Sequence, residues 1–422
     1  MRELLLASFR AAVAAADPVA ILAPHLPAPP RGRTLVVAAG KAAASMSAAL
    51  EAAWPAEAPL EGLALTRYRH GVPTRRIRVL EAGHPVPDAA GEAGAREIRD
   101  AVAALGPEDR LVALVSGGGS SLLSLPADGV SMGDLKAVTK QLLHCGATIQ
   151  EINVVRKHLS AIQGGRLAAL CRAPVTALII SDVTGDDPTH IASGPCAPDP
   201  STYADAIEVL AKYGVDAPAG VRARLEAGAA GRIAETPKAG DAAFARTENR
   251  VIATAHRSLE AAAEVFRAAG VTPVILGDTV TGEAADVARV MAALVREIRS
   301  HGAPFATPVA LLSGGECTVT LGARGGRGGR CSEFLLSLAV ELEDVAGVHA
   351  IAADTDGIDG SEDNAGALLG PNSATRARAL RLNAPRLLAA HDSHGYFSAL
   401  GDLVVTGPTF TNVNDYRAIL VA

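Results

Sequence analysis

A chain of 422 residues, 49% hydrophobic and 20% charged, is long enough for two or three domains and too apolar for global disorder. Aromatic residues make up only 3%, so the core must come from Ala, Val, Leu and Ile, which suits helices packed on a parallel sheet. The net charge of −6 excludes nucleic acid as the principal partner, since a phosphate backbone calls for a surplus of Lys and Arg. A local basic site for a small anion stays compatible with that balance.

The first expected element is a helix over MRELLLASFRAAVAAADP, stopped by Asp17-Pro18, rather than a signal peptide. Short apolar runs then predict strands at Thr34–Ala38, Arg110–Val115, Val175–Ser181, Arg250–Ala253, Thr272–Leu276, Pro308–Leu312 and Gly347–Ala352. Amphipathic segments predict helices at Ala42–Ala53, Ala90–Ala104, Asp134–Leu143, Thr202–Lys212, Ser258–Ala269, Gly282–Ser300 and Ser332–Val340. This alternation implies right-handed crossovers and a doubly wound sheet. The Ala-, Gly- and Pro-rich stretch Gly214–Thr247 has no strong strand, so the expected boundary lies near 240, giving domains 1–240 and 241–422. No stretch of about 18 residues is apolar enough to span a bilayer. The five cysteines (145, 171, 196, 317, 331) form no CxxC pair, which fits a reducing compartment, the cytoplasm.

In an open α/β sheet ligands bind beyond the carboxyl ends of strands, and the turns there carry the candidate chemistry. At Gly40-Lys41 a glycine permits a sharp turn and a lysine adds mobile charge. It is no Walker A loop, because position 35 is Leu and Ala42 replaces the Ser/Thr that would hold magnesium. Ser116-Gly117-Gly118-Gly119-Ser120-Ser121 is suited to a phosphate or a carboxylate. Its partial dinucleotide fingerprint fails at Leu122. Asn153, Arg156 and Lys157 sit in a basic run before Gly164-Gly165. The turn Ser181–Pro188 offers Asp182 and Asp187, as a general base or as oxygen ligands for Mg²⁺. Ser313-Gly314-Gly315-Glu316 leads to a glycine loop bearing Arg324, Arg327 and Arg330, the strongest anion signal in the chain. Asp354-Thr355-Asp356-Gly357 lacks the spacing of an EF-hand but retains two carboxylates for a metal or hydroxyl. Thr406–Asp415 supplies hydroxyls and amides.

Taken together, NVVRKHLSAIQGG (153–165), SDVTGDDPTHIASGP (181–195), SGGE (313–316) and DTDGIDG (354–360) resemble the class II glycerate kinases, whose C-terminal half is the MOFRL domain. The resemblance spans nearly the whole chain. It implies an α/β fold of two domains, an N-terminal Rossmann-like doubly wound sheet and a smaller C-terminal α/β domain, with a cleft between them. It further implies transfer of the ATP γ-phosphoryl group to the 2-hydroxyl of D-glycerate with Mg²⁺ or another divalent cation. The family's catalytic lysine matches Lys41. Its loop arginine matches Arg330, although Cys331 and Ser332 replace the family's usual amides. On this basis Lys41, Arg330 and Asp182 are the expected catalytic residues. Asp187, Asp354 and Asp356 are the expected metal ligands. Gly40, Ser116, Gly117, Gly118, Gly119, Ser120, Asn153, Arg156, Lys157, Ser313, Gly314, Gly315 and Glu316 are the expected contacts to ATP and glycerate. These two small molecules are the expected partners, with no nucleic acid, no membrane and a homo-oligomer left open. The rival readings are an NAD(P)H-dependent hydroxypyruvate reductase and a non-catalytic sensor of sugar acids or nucleotides.

Overall fold

The computed structural model describes residues 1–321, 325–343 and 345–422. They form two compact units, Pro18–Ile252 and a second that joins Met1–Asp17 to Ala253–Ala422.

The first unit is built on six strands: β1 Thr34–Ala39, β2 Leu60–Arg67, β3 Ile77–Ala82, β4 Arg110–Val115, β5 Val175–Ile180 and β6 Thr247–Ala253. Their order in the sheet is β3-β2-β1-β4-β5-β6, and the pairs β3/β2, β2/β1, β1/β4 and β4/β5 are parallel. This is the doubly wound order, in which the chain reverses direction across the sheet between β1 and β4. Strands β1 and β5 are buried along their whole length, as a parallel strand covered on both faces must be. Leu35, Val37, Leu111, Val115 and Ile179 share one core with Ile98 and Val102 of helix Ala89–Ala103. That helix starts where the Asp88 carboxylate accepts the Gly91 N–H.

The second unit contains β7 Thr272–Gly277, a two-residue ladder of β8 Gly282–Glu283 with β10 Cys317–Thr318, β9 Val309–Ser313, β11 Val348–Asp354, β12 Gly366–Leu369, β13 Leu403–Val404 and β14 Asp415–Val421. Its sheet runs β13-β12-β11-β14-β9-β7. Only β7/β9 is parallel; the other four pairings are antiparallel. The unit is α/β, as expected, but its sheet is mixed rather than doubly wound. Two strands run against the rest: β14, inserted between β11 and β9, and β12, between β13 and β11.

Two boundary expectations change. The stretch 214–247 is not a linker. Helix Ala219–Ala229 buries Val221 and Leu225 in one core with Tyr203 and Leu210, Phe244 packs on the main core, and the chain then continues into β6. The division therefore falls after Ile252 rather than near 240. The N-terminal helix Arg2–Ala14 belongs to the second unit, where Leu5, Phe9 and Ala12 pack against Leu259, Ala263 and Phe266 of helix Ala255–Ala268. Among the described residues no helix is long and apolar enough to cross a membrane.

Candidate functional site

In the first unit the turn after β1 meets the turn after β4 at the point where strand order reverses. Gly40 adopts φ +132° with no room for a β-carbon, which would fall on Ser116. That close approach lets the Lys41 N–H donate to the Gly117 carbonyl at 2.8 Å and the Ala42 N–H to Ser116 Oγ at 3.1 Å. Ser116 is fully buried and its hydroxyl accepts from Ala42, so it holds the turn together rather than presenting an open ligand group. Gly118 sits at φ +82°, and a β-carbon there would lie 2.8 Å from His84 Nε2 and 3.4 Å from Lys41 Cγ. Lys41 and His84 thus converge on the glycine turn beyond β4. His84 comes from the turn after β3; the sequence reading passed over it because a lone histidine before proline carries no spacing signal.

A hydroxyl network leads away from this turn. Ser120 Oγ lies 2.9 Å from Ser193 Oγ, and Ser193 Oγ donates to Asn153 Oδ1 at 3.2 Å. Gln163 Nε2 donates to the Ser120 and Leu123 carbonyls at 2.8 and 3.0 Å. Asn153 and Arg156 lie on helix Ile149–His158, whose start is fixed by reciprocal bonds between Thr148 and Glu151. Lys157 on the same helix points elsewhere. It is 1% exposed and its Nζ is 3.3 Å from the buried Asp199. Its expected role as a ligand contact gives way to a buried ion pair. Asp182 follows β5 and is half-buried, while Asp187 is exposed and accepts the Thr189 N–H at 2.8 Å. Partial burial works to raise the Asp187 carboxyl, but the Thr189 bonds, with His190 and Lys157 nearby, hold it below the ordinary value.

In the second unit Arg330 opens helix Arg330–Glu341. Its guanidinium reaches three carboxylates: Nε to Asp415 at 2.7 Å, Nη2 to Asp354 at 2.7 Å and Nη1 to Glu316 at 2.9 Å. Burial disfavours the cation, but the three acids overcome it and hold Arg330 charged. Asp354 and Asp415 are buried, whereas Glu316 is 54% exposed and is the partner an incoming anion can displace at least cost. The Ser313–Glu316 turn is locked from behind by Arg417, itself 1% exposed. Its Nη2 donates to the Gly314 and Val280 carbonyls at 2.5 and 3.2 Å. Gly315, at φ +98°, leaves no room for a β-carbon, which would fall on the Val280 backbone.

Asp356 accepts the Ile358 N–H and donates its own N–H to Asp354 Oδ1, so the two acids shape one turn. Among the described residues no group of three or more His, Cys, Asp or Glu is arranged to hold a metal alone. Two carboxylates in one turn nonetheless suit Mg²⁺, a hard cation that commonly takes one or two protein oxygens and completes its shell with phosphates and water.

Asp415, Arg417 and Asp359 were not foreseen. Asp359 is fully buried and accepts from the Cys331 and Ser332 N–H groups at 2.9 and 2.8 Å and from Ser332 Oγ at 2.6 Å. Burial pushes its carboxyl up to about 6. Cys331 and Ser332, which depart from the family pattern, are buried, and the Ser332 hydroxyl serves this anchor. Arg324 lies outside the described residues. Arg327 is 59% exposed and lies 3.8 Å from Asp392.

Residues 4–226 match a domain of unknown function, DUF4147, and residues 309–415 match the MOFRL family. A protein of Agrobacterium vitis with the provisional name hydroxypyruvate reductase is 54% identical over 100% of this chain and 94% of its own length. A glycerate 2-kinase of Pyrococcus horikoshii is 39% identical over 93% of this chain and 88% of its own. Among solved structures, a glycerate kinase from Thermotoga maritima superposes with a TM-score of 0.87 at 35% identity, covering 100% of this chain and 99% of that one.

Proposed function

This chain belongs to the glycerate kinase family that combines a DUF4147 domain with a MOFRL domain, and we propose that it transfers the γ-phosphoryl group of ATP to the 2-hydroxyl of D-glycerate, giving 2-phospho-D-glycerate and ADP. The observation that carries the reading is the Gly40-Lys41 turn clasped to the glycine turn beyond β4, at the reversal point of a doubly wound sheet. Phosphoryl transfer asks little covalent chemistry of a protein. It asks for alignment of donor and acceptor and for fixed positive charge on the moving group. Lys41 supplies that charge from a turn whose backbone is tied to the glycine turn beyond β4 at Gly117 and Ser116. Arg330 supplies it from a cage of acids, with Glu316 yielding its place to the phosphate. Asp182, half-buried at the end of β5, is the acceptor for the hydroxyl proton. Asp354 and Asp356, in one turn, would hold Mg²⁺, which when bound would neutralise phosphate charge.

The hydroxypyruvate reductase reading finds less support. The glycine turn beyond β4 runs into the buried Leu122 where a dinucleotide fingerprint wants a small residue. The deciding measurement is incubation of the pure protein with ATP, Mg²⁺ and D-glycerate, followed by NMR of the product. ADP and 2-phosphoglycerate are expected. Oxidation of NADH with hydroxypyruvate and no ADP would overturn the reading.

A further inference from the structure

We infer that Arg156, together with the Asn153–Ser193–Ser120 network, forms the subsite for the acceptor's carboxylate, so that the site selects an α-hydroxy acid over a neutral polyol. The inference rests on the kinase reading and adds a ligand group to a named residue.

Arg156 is a half-buried cation with no counter-ion among the described residues. Among the described residues its side chain makes one hydrogen bond, a long one of 3.5 Å to Asn153 Oδ1, and no carboxylate pairs with it. A guanidinium carries five donors, so most of its hydrogen-bonding capacity is unspent. Burial, with no acid to oppose it, pulls its pKa down. The contrast with its neighbour is direct: Lys157 is more deeply buried but sits on Asp199. A partly desolvated charge left unpaired costs free energy, and an arriving anion recovers it.

The position is tied to the reaction mouth. Asn153 Oδ1, which Arg156 touches, also accepts from Ser193 Oγ, and Ser193 meets Ser120, which follows Gly118 beyond β4, the turn on which Lys41 converges. Ser193 is fully buried and adopts φ +59°, next to Ala192 at φ +50°. Two adjacent non-glycine residues in this region are strained, and such strain persists only where the surroundings fix it. Gln163 secures Ser120 from the opposite side. A planar cation flanked by neutral hydroxyl and amide groups matches a monoanionic carboxylate, which guanidinium binds bidentately. A phosphoryl group carries more charge and calls for Lys41, Arg330 and a cation.

The test compares the wild type with Arg156→Ala and Arg156→Lys, using D-glycerate and its neutral amide, D-glyceramide, as acceptors. Loss of a charged hydrogen-bond partner should raise KM for D-glycerate roughly 10- to 100-fold in Arg156→Ala, with KM for ATP nearly unchanged. The preference for glycerate over glyceramide should collapse. Arg156→Lys, which keeps the charge but loses the fork, should fall between. A rise in KM for ATP instead would make Arg156 a nucleotide-phosphate contact and overturn the inference, as would unchanged constants in folded variants. Calorimetric titration of D-glycerate into wild type and Arg156→Ala separates the two readings. If wild type forms no ADP, the kinase reading fails, yet equal glycerate binding by both proteins would still overturn the carboxylate subsite and weaker binding by the variant would still support it.

Discussion

Arg330→Ala should lower kcat by roughly 10²–10³, about 3–4 kcal/mol of transition-state stabilisation, with a smaller change in KM for ATP. Lys41→Ala should fall in the same range. The Arg330 charge is held in place before substrate arrives by Asp354 and Asp415, and the Gly40–Ser116 clasp fixes the backbone that carries Lys41; preorganised charge acts where charge is redistributed. Arg330→Lys should not rescue. Three carboxylates approach three different nitrogens of the planar guanidinium, and an ammonium cannot meet them in that geometry. Arg327→Ala should be mild, since Arg327 is exposed and only loosely paired. Glu316→Gln offers a complementary readout: with one competitor on Arg330 weakened, KM for ATP should fall or hold while the fold is untouched. Steady-state kinetics with circular dichroism on each variant checks the set. Removing Arg330 also takes from Asp354 and Asp415 the cation they share, so melting must be followed. Near-normal kcat in folded Arg330→Ala or Lys41→Ala would remove that residue from the chemistry.

The strands of the first unit that place this chemistry were legible because they are short apolar runs ending in Gly-, Ser- or Asp-rich turns. Arg110–Val115 was read at its observed bounds, and β1 and β5 within one residue. Strands β2 and β3 were missed. LEGLALTR and IRVLEA carry charges at positions that the structure leaves partly exposed, and their apolar content alone is too small to announce a strand. The larger omission was β14, DYRAILV, at the centre of the second sheet. An arginine in mid-strand argues against burial, and only tertiary partners make Arg417 tolerable there: the Gly314 and Val280 carbonyls, Asp415 at 3.6 Å and the Phe334 ring. With β14 unseen, Asp415 read as part of a turn rather than as one of the two acids nearest Arg330, and the strand order of the C-terminal α/β domain stayed unread. The two Ser-Gly-Gly turns illustrate the same limit. They look alike in sequence, but Ser116 ends a strand between two parallel neighbours, whereas Ser313 pairs antiparallel with Arg417.

Lys157→Met should destabilise the first unit by about 3–5 kcal/mol while leaving both KM values near the wild type in the folded fraction. The sequence places Lys157 beside Arg156, and residue type alone suggests a shared anion site. Burial separates them. The Lys157 and Asp199 side chains are 2% and 0% exposed, and Asp199 also accepts from the Ser201 hydroxyl and N–H at 2.7 and 3.1 Å. Removing the lysine strands a carboxylate in the interior, which costs more than the pair was worth. The double variant Lys157→Met/Asp199→Leu, which removes both charges, should recover much of the loss. A pH series gives an independent check. Burial works to raise the Asp199 carboxyl, but Lys157 and the Ser201 bonds bring it below its ordinary value of 3.8. A depressed folded-state value means a contribution fully present above that ordinary value and lost as pH falls through the folded one. Without Lys157 the burial effect dominates, the folded value rises, and the variant should gain stability relative to wild type as pH is lowered toward 4. Urea denaturation from pH 7 to pH 4, with glycerate kinetics on the folded protein, covers both arms. A variant that melts like the wild type but shows a raised KM for glycerate would return Lys157 to the ligand and make the Asp199 pair incidental.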